Sequence, residues 1–271
     1  MLILCQIPWD AARPEEALGP VLAAAQAEVR QTAFREFDGS LLLLPHADAA
    51  EPLASQALLE RIGALARGAG LYVAGSALVS DAGDRAARTV GFLLTAEGEE
   101  ALCVNKISPD FLGGFSDSTC DLGKAADFPT ATTPLGKVGI LPGEDILFAH
   151  YARSLCWHGA ELILNPCLER SDTALPMRHN SRYGRATDNN CYVASASPGS
   201  RTVAGVTVQL PPATAFYHYE EGPQCIAGAS TFLFPDYDVE AIRRQRVNPG
   251  PSMPAILRAD VYAATYADEA P

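Results

Sequence analysis

Pro142-Gly143-Glu144-Asp145 follows the apolar run Val138 to Leu141 and precedes a helical pattern that begins near Ile146. A strand that turns sharply into a helix commonly displays a reactive side chain beside unpaired backbone N–H groups. The residue at this corner is Gly143, which has no side chain to react, and an acidic pair stands directly after it. Other reactive residue types are present without the spacing of a known site. Seven cysteines (5, 103, 120, 156, 167, 191 and 225) are scattered with no C-x-x-C pair, several inside apolar runs. That distribution suits buried, reduced thiols in a cytoplasmic protein and suggests neither a disulfide framework nor a zinc site. Histidines 150, 158, 179 and 218 form no H-E-x-x-H or comparable ligand spacing, so no metal is expected.

The elements that would position the corner alternate along the chain. Apolar runs predict strands at 1–7, 41–45, 71–79, 89–95, 101–106, 137–141, 161–165, 191–196 and 226–234. Helical patterns fall at 14–37, 54–69, 146–158 and 174–190. In the first of these, Leu18, Val21, Leu22, Ala25 and Val29 share one face; in the second, Leu58, Leu59, Ile62, Leu65 and Ala66 do so before a stop at Gly68 and Gly70. Helices between continuous apolar strands imply sheets covered on an outer face. The segments 107–130 and 207–225 lack clear periodicity, and the second, with Pro211-Pro212 and Glu220-Glu221-Gly222-Pro223, reads as a loop. No repeat or linker divides the chain, so residues 1–271 are expected to form a single domain.

Composition narrows the partners. A net charge of −12 argues against nucleic acid and anionic membranes, and a hydrophobic content of 48% is ample for a large core. No apolar run approaches the ~18 residues of a membrane span, and Met1 to Gln6 reads as a buried first strand rather than a signal peptide. The run Arg243-Arg244-Gln245-Arg246 reads as a solvated or dimer-contacting face.

Taken in order, several segments resemble the nitrilase (carbon–nitrogen hydrolase) superfamily. They are Met1 to Gln6 with Asp10 shortly after, Leu41-Leu42-Leu43-Leu44-Pro45-His46, Cys103-Val104-Asn105-Lys106-Ile107 and Gly139-Ile140-Leu141-Pro142-Gly143-Glu144-Asp145. Downstream, His158 to Pro166 resembles a Gly-Ala-Glu strand ending in Asn-Pro, and Arg185 to Val193 resembles Arg-Ala-x-Glu-Asn-x-x-Tyr-Val with Asp188 for Glu. Gly228-Ala229-Ser230 and Leu257 to Val261 resemble the closing blocks. The resemblance implies an α-β-β-α sandwich that pairs into a dimer, here through 146–158 and nearby C-terminal segments. It also implies a Cys nucleophile, a Glu base and a Lys that stabilises the oxyanion, with no cofactor.

Carried over, the base position holds His46, the Lys position Lys106 and the Cys position Gly143, while Asp117 falls near the Glu that braces the Lys. Thiol-dependent nitrilase or amidase turnover is therefore not expected. A pocket around His46, Lys106, Asp117 and Glu144 would instead bind a small carbonyl or carboxylate ligand, or the chain would regulate or scaffold a partner such as an active paralogue. The alternative is an active carbon–nitrogen hydrolase with His46 as base and Lys106 as oxyanion stabiliser. Asp145 suits a capping role, Glu144 an ion pair with Lys106, and Cys167 a buried or pocket-lining thiol rather than a relocated nucleophile. Cys191 is expected in the core.

Overall fold

The structure, a computed structural model, describes residues 1–32, 39–47, 53–81, 87–108, 127–203, 205–225 and 230–247. In chain order the elements are β1 (Leu2–Cys5), α1 (Pro14–Thr32), β2 (Leu41–His46), α2 (Ser55–Ala69), β3 (Tyr72–Val79), β4 (Arg88–Leu94), β5 (Glu100–Asn105), β6 (Ala131–Thr133) and β7 (Gly136–Ile140). A 3-10 turn (Gly143–Leu147) follows, then α3 (Ala149–Trp157), β8 (Leu162–Pro166), α4 (Leu175–Asn189), β9 (Tyr192–Ala196), β10 (Ser200–Val203), β11 (Val206–Gln209), β12 (Ala215–His218), β13 (Gly222–Cys225), β14 (Phe232–Leu233) and α5 (Val239–Val247).

Two six-stranded sheets form, in the orders β14-β1-β2-β3-β4-β5 and β13-β12-β9-β8-β7-β6. In each, three central strands run parallel, β1-β2-β3 in one and β7-β8-β9 in the other, and the outer strands pair antiparallel. Strand geometry sends alternate side chains to opposite faces, and the first two strands use both. Leu2, Leu4, Leu41 and Leu43 join the core between the sheets, whereas Ile3, Cys5, Leu42 and Leu44 join the core beneath α1 and α2. Because both faces are covered, these strands read as unbroken apolar runs. The helices α3 and α4 cover the second sheet, with Ala152, Leu155, Cys156 and Ala186 in the same core as β7, β8 and β9. The expected α-β-β-α sandwich is what the chain adopts.

The helix ends follow from local chemistry. The helix α2 stops at Gly70 (φ 65°), whose N–H returns to Ala66 and Arg67 carbonyls. The helix α4 stops at Asn190 (φ 45°), bonded in the same way to Ala186 and Thr187. Asn tolerates this left-handed conformation better than most residues with a side chain.

Several expectations need correction. The segment 207–225 is not a loop: β11, β12 and β13 occupy much of it, and β12 extends the second sheet from β9. The helix expected at 146–158 is split, with a 3-10 turn over 143–147 and α3 over 149–157, because Phe148 is extended between them (φ −87°, ψ 108°). The expected first helix ends at Thr32 among the described residues, and of the strand expected at 226–234 residues 230–234 are described, with only Phe232–Leu233 in a strand. The basic run is not among them: it lies on α5 with Arg243, Arg244 and Gln245 exposed, as a solvated face would be, while Arg243 also pairs with Glu161 at 2.6 Å and Arg246 donates to the carbonyls of Ala160 and Asn190. Two of its arginines thus fasten α5 to the start of β8 and the end of α4.

The sheets approach closely below the corner of interest. A Cβ added at Gly91 on β4 would lie 2.8 Å from both Ile140 Cγ2 and Pro142 Cγ. Any side chain there must push the corner outward or shift β4. Gly91→Ala is expected to cost about 1–3 kcal/mol through overpacking, measured as a lowered urea midpoint with an unchanged slope.

Candidate active site

The carboxyl ends of β2, β7 and β8 converge with the residue after β5, the usual place for a site in sheets built on parallel strands. Lys106 is held by its backbone N–H donating to Thr89 O at 2.8 Å, and its Nζ donates to Ser108 O. Its ammonium also lies 3.5 Å from Glu144 Oε2, both side chains being almost fully buried. The corner places Gly143 at φ +55°, where a Cβ would sit 3.1 Å from Lys106 Cε. Lys106, Gly143 and Glu144 are therefore brought together.

Glu144 does not stop at one partner. Its Oε1 is 3.1 Å from Arg178 of α4. Arg178 in turn meets Glu169 Oε2 at 2.5 Å, and Glu169 Oε1 meets Arg182 at 2.5 Å. Glu169 is wholly buried and Arg182 is 1% exposed. Burial would lower the Arg182 pKa, but the charges around it, Glu169 among them, raise it, so the guanidinium stays charged. Arg182 Nε then donates to Asn165 Oδ1 at 2.8 Å, and Asn165 Nδ2 donates to Leu141 O at 2.7 Å and Gly143 O at 2.9 Å. One buried polar chain thus runs from Lys106 to α4 and back to the corner.

Asp145 caps, though not its own turn. It accepts from Ile107 N–H at 2.9 Å and from Ser108 N–H and Oγ at 2.7 and 2.5 Å, fixing the backbone just after Lys106. Burial pushes its pKa up, opposed by those Ser108 and Ile107 hydrogen bonds and by the Lys106 charge. The 3-10 turn itself has no side-chain cap.

His46 ends β2, with its N–H donating to Cys167 O at 3.1 Å and its Nδ1 3.0 Å from Ser76 Oγ. Ser76 Oγ also donates to Pro166 O at 3.4 Å, a pattern compatible with a proton on His46 Nδ1. Cys167 is fully buried, its thiol donating to Ala196 O at 3.4 Å. Burial pushes its pKa up to about 12, against the lowering effect of Arg182 at 3.3 Å, which favours the protonated thiol at neutral pH. Asp117 lies outside the described residues. Among the described residues no group of His, Cys, Asp and Glu could hold a metal ion, and no helix is long and apolar enough to cross a membrane.

Arg178, Arg182 and Glu169 were not candidates from sequence. The two arginines lie four apart on α4 and so on one helix face, a signal that was available. Glu169, which they share, had no spacing to mark it.

Because Glu169 compensates two buried guanidinium groups, Glu169→Gln is expected to cost about 3–5 kcal/mol in urea unfolding. Glu144→Gln should cost less, since Arg178 keeps Glu169. In the folded protein at about pH 8, iodoacetamide should label Cys103 faster than buried Cys167, on accessibility rather than acidity since burial pushes the Cys103 pKa up to about 11, read by peptide mass mapping.

Comparison with known proteins agrees with this architecture. The Carbon-nitrogen hydrolase family model matches residues 4–236. Among solved structures, the C. elegans NitFhit protein superposes with a TM-score of 0.72 at 18% identity, covering 96% of this chain and 65% of that one. An amidase from Nesterenkonia sp. AN1, in a mutant form showing covalent addition of the acetamide moiety of fluoroacetamide at the active site cysteine, superposes with a TM-score of 0.72 at 17% identity, covering 97% and 95%. Saccharomyces cerevisiae Nit3, of branch 10 of the nitrilase superfamily, gives 0.67 at 17% identity, covering 92% and 94%. This chain spans 65% of the NitFhit chain's length. None of the curated proteins matches the sequence. From the match over most of its length, the chain belongs to the carbon–nitrogen hydrolase family.

Proposed function

We propose that this chain is a family member without thiol chemistry, a pseudoenzyme whose site binds a small carbonyl ligand or regulates a partner. The observation that carries the reading is Glu144, whose carboxylate lies 3.5 Å from Lys106 and 3.1 Å from Arg178 beside a corner residue with no side chain. In the family's chemistry the Lys meets negative charge that develops on the substrate. Here Lys106 already faces a carboxylate of its own chain. Lys106, Arg178 and Arg182 are matched by Glu144, Glu169 and Asp145, a balance that favours an uncharged carbonyl over a free carboxylate as ligand. His46 at the base position supports the same reading, because two of the three roles are then absent together. The Nesterenkonia amidase carries its adduct on a cysteine; the corresponding corner here carries Gly143. Self-association through the 146–158 region and nearby C-terminal segments belongs to the proposal.

A second reading, hydrolysis with His46 as base and Lys106 as oxyanion stabiliser, draws on a proton on His46 Nδ1, which would leave Nε2 basic.

The two separate cleanly. The purified protein is expected to turn over no small amide or nitrile above a buffer control and to yield no acyl adduct by denaturing mass spectrometry. Turnover abolished by both Lys106→Ala and His46→Ala would overturn the proposal in favour of the second reading. Gly143→Cys alone should leave hydrolysis absent, since position 46 would still be His, and should cost about 1–2 kcal/mol for a side chain at φ +55°. Calorimetric titration with simple amides tests the ligand. Absence of binding, with co-purification of an active homologue, would leave the partner-regulating role.

A further inference from the structure

The two carboxylates that meet Arg178 are held unlike one another. Glu169 is fully buried and lies 2.5 Å from Arg178 and from Arg182, the close pairing that interior charges require. Glu144 sits more loosely, 3.1 Å from Arg178 and 3.5 Å from Lys106, and keeps 7% of its surface exposed. Its oxygens go to different cations, Oε1 to the guanidinium on α4 and Oε2 to the ammonium at the exit of β5. Arg178 Nε is buried with no hydrogen-bond partner among the described residues, so the guanidinium has a donor to spare. There is room at the adjoining corner. Apart from its chain neighbours, a Cβ placed on Gly143 would meet only the Lys106 stem within 4 Å among the described residues.

Taking the pocket to be a ligand site, as proposed above, we infer that Glu144 stands where the carboxylate of a small monocarboxylic acid would bind. The chain thus fills its own anion site, and Glu144 sets the ligand class: it leaves an uncharged carbonyl admissible and turns a carboxylate away. Lys106 and Arg178 belong to different elements, and a single carboxylate bridges them by offering one oxygen to each. Any free carboxylate can reproduce that geometry. It must, however, compete with a carboxylate tethered beside the cradle, whose effective concentration is on the order of millimolar or above. Glu144 therefore wins against a dilute acid.

Exchange asks only that the Glu144 side chain turn. The backbone on either side is pinned, because Gly143 O accepts from Asn165 at 2.9 Å and Asp145 accepts from the Ile107 and Ser108 N–H groups. Between those anchors the Glu144 side chain keeps its own rotamers. One carboxylate leaves the cradle as another enters, so an anion stays between Lys106 and Arg178 throughout. Truncating Glu144 takes that anion away and leaves a place shaped and charged for a replacement.

Acetate supplies the atoms that Glu144→Ala removes beyond Cβ, and acetamide is its uncharged isostere. Melting temperatures are followed at about pH 7, where acetate is ionised, in rising sodium acetate against sodium chloride at matched ionic strength. The wild-type protein is expected to respond to acetate no more than to chloride. Glu144→Ala should be stabilised by acetate with an apparent dissociation constant at least about tenfold below the wild-type value, and by acetamide less than by acetate. Glu144→Gln, equal in size to the native residue, carries the same expectation should the alanine variant fail to fold. Adding Arg178→Lys to whichever variant folds should weaken the acetate response, since a guanidinium and an ammonium hold a carboxylate differently. An acetate response absent from the Glu144 variants, equal in them and the wild type, or unmoved by Arg178→Lys would overturn the inference. Acetamide binding to the wild type is read separately: its absence removes the uncharged ligand proposed above and leaves the acetate result standing.

Discussion

Glu169 is the carboxylate on which the centre of this molecule depends. It is wholly buried and pairs with two guanidinium groups from α4 at 2.5 Å each. Moving such charges out of water costs several kcal/mol per ion, and only close, mutual pairing offsets it. The pairing then dictates positions elsewhere. Arg182 can reach Glu169 only with α4 seated against the end of β8, and from there it orients Asn165. Asn165 holds the backbone on both sides of Pro142 through the Leu141 and Gly143 carbonyls. The corner is thus fixed from below by a helix that lies well beyond it in sequence, not by its own turn chemistry alone.

The sandwich supplies the second half of that support. Parallel strands in each sheet end at the same level, so the residues after β2, β7 and β8 meet without long loops. Where the sheets come nearest, Gly91 gives up a side chain so that Ile140 and Pro142 can occupy the space. A close-packed interior of this kind transmits small displacements instead of absorbing them. Overpacking at one glycine would therefore be felt at Lys106 and Glu144 as well as in overall stability.

Much of the fold was legible because its central strands are buried on both faces and read as uninterrupted apolar runs. The misses have physical causes. The hairpin β12–β13 was hidden by Pro211-Pro212 and by Gly222-Pro223, residues that usually mark loops. Pro223 is tolerated because β13 is an edge strand among the described residues, with no described neighbour on its far side to need the missing N–H. The split at Phe148 was invisible because the apolar spacing continues across it while the backbone does not. At the site, the Lys106–Glu144 pair could be anticipated from residues at the corner and at a strand end. The Arg178–Glu169–Arg182 chain could not, since ion pairs between distant segments leave no periodicity. Asp145 was legible as a cap, but its partners, Ile107 and Ser108, belong to another strand's exit.

A backbone at φ +55° costs about 1–2 kcal/mol for any residue but glycine, so sites that put a side chain there do so for what the side chain performs. At Gly143 no such penalty arises and no side chain is shown. The groups around it are all turned to holding: Gly143 O accepts from Asn165, Glu144 faces Lys106 and Arg178, and Asp145 grips the residues after Lys106. These contacts tie the corner to β8, α4 and the exit of β5. A reacting centre needs the opposite, donors aimed at a place where charge will appear and left unspent until it does. The corner has the shape of a displaying turn and the wiring of an anchoring one. That combination is the physical ground on which the proposed ligand-holding or partner-holding role rests.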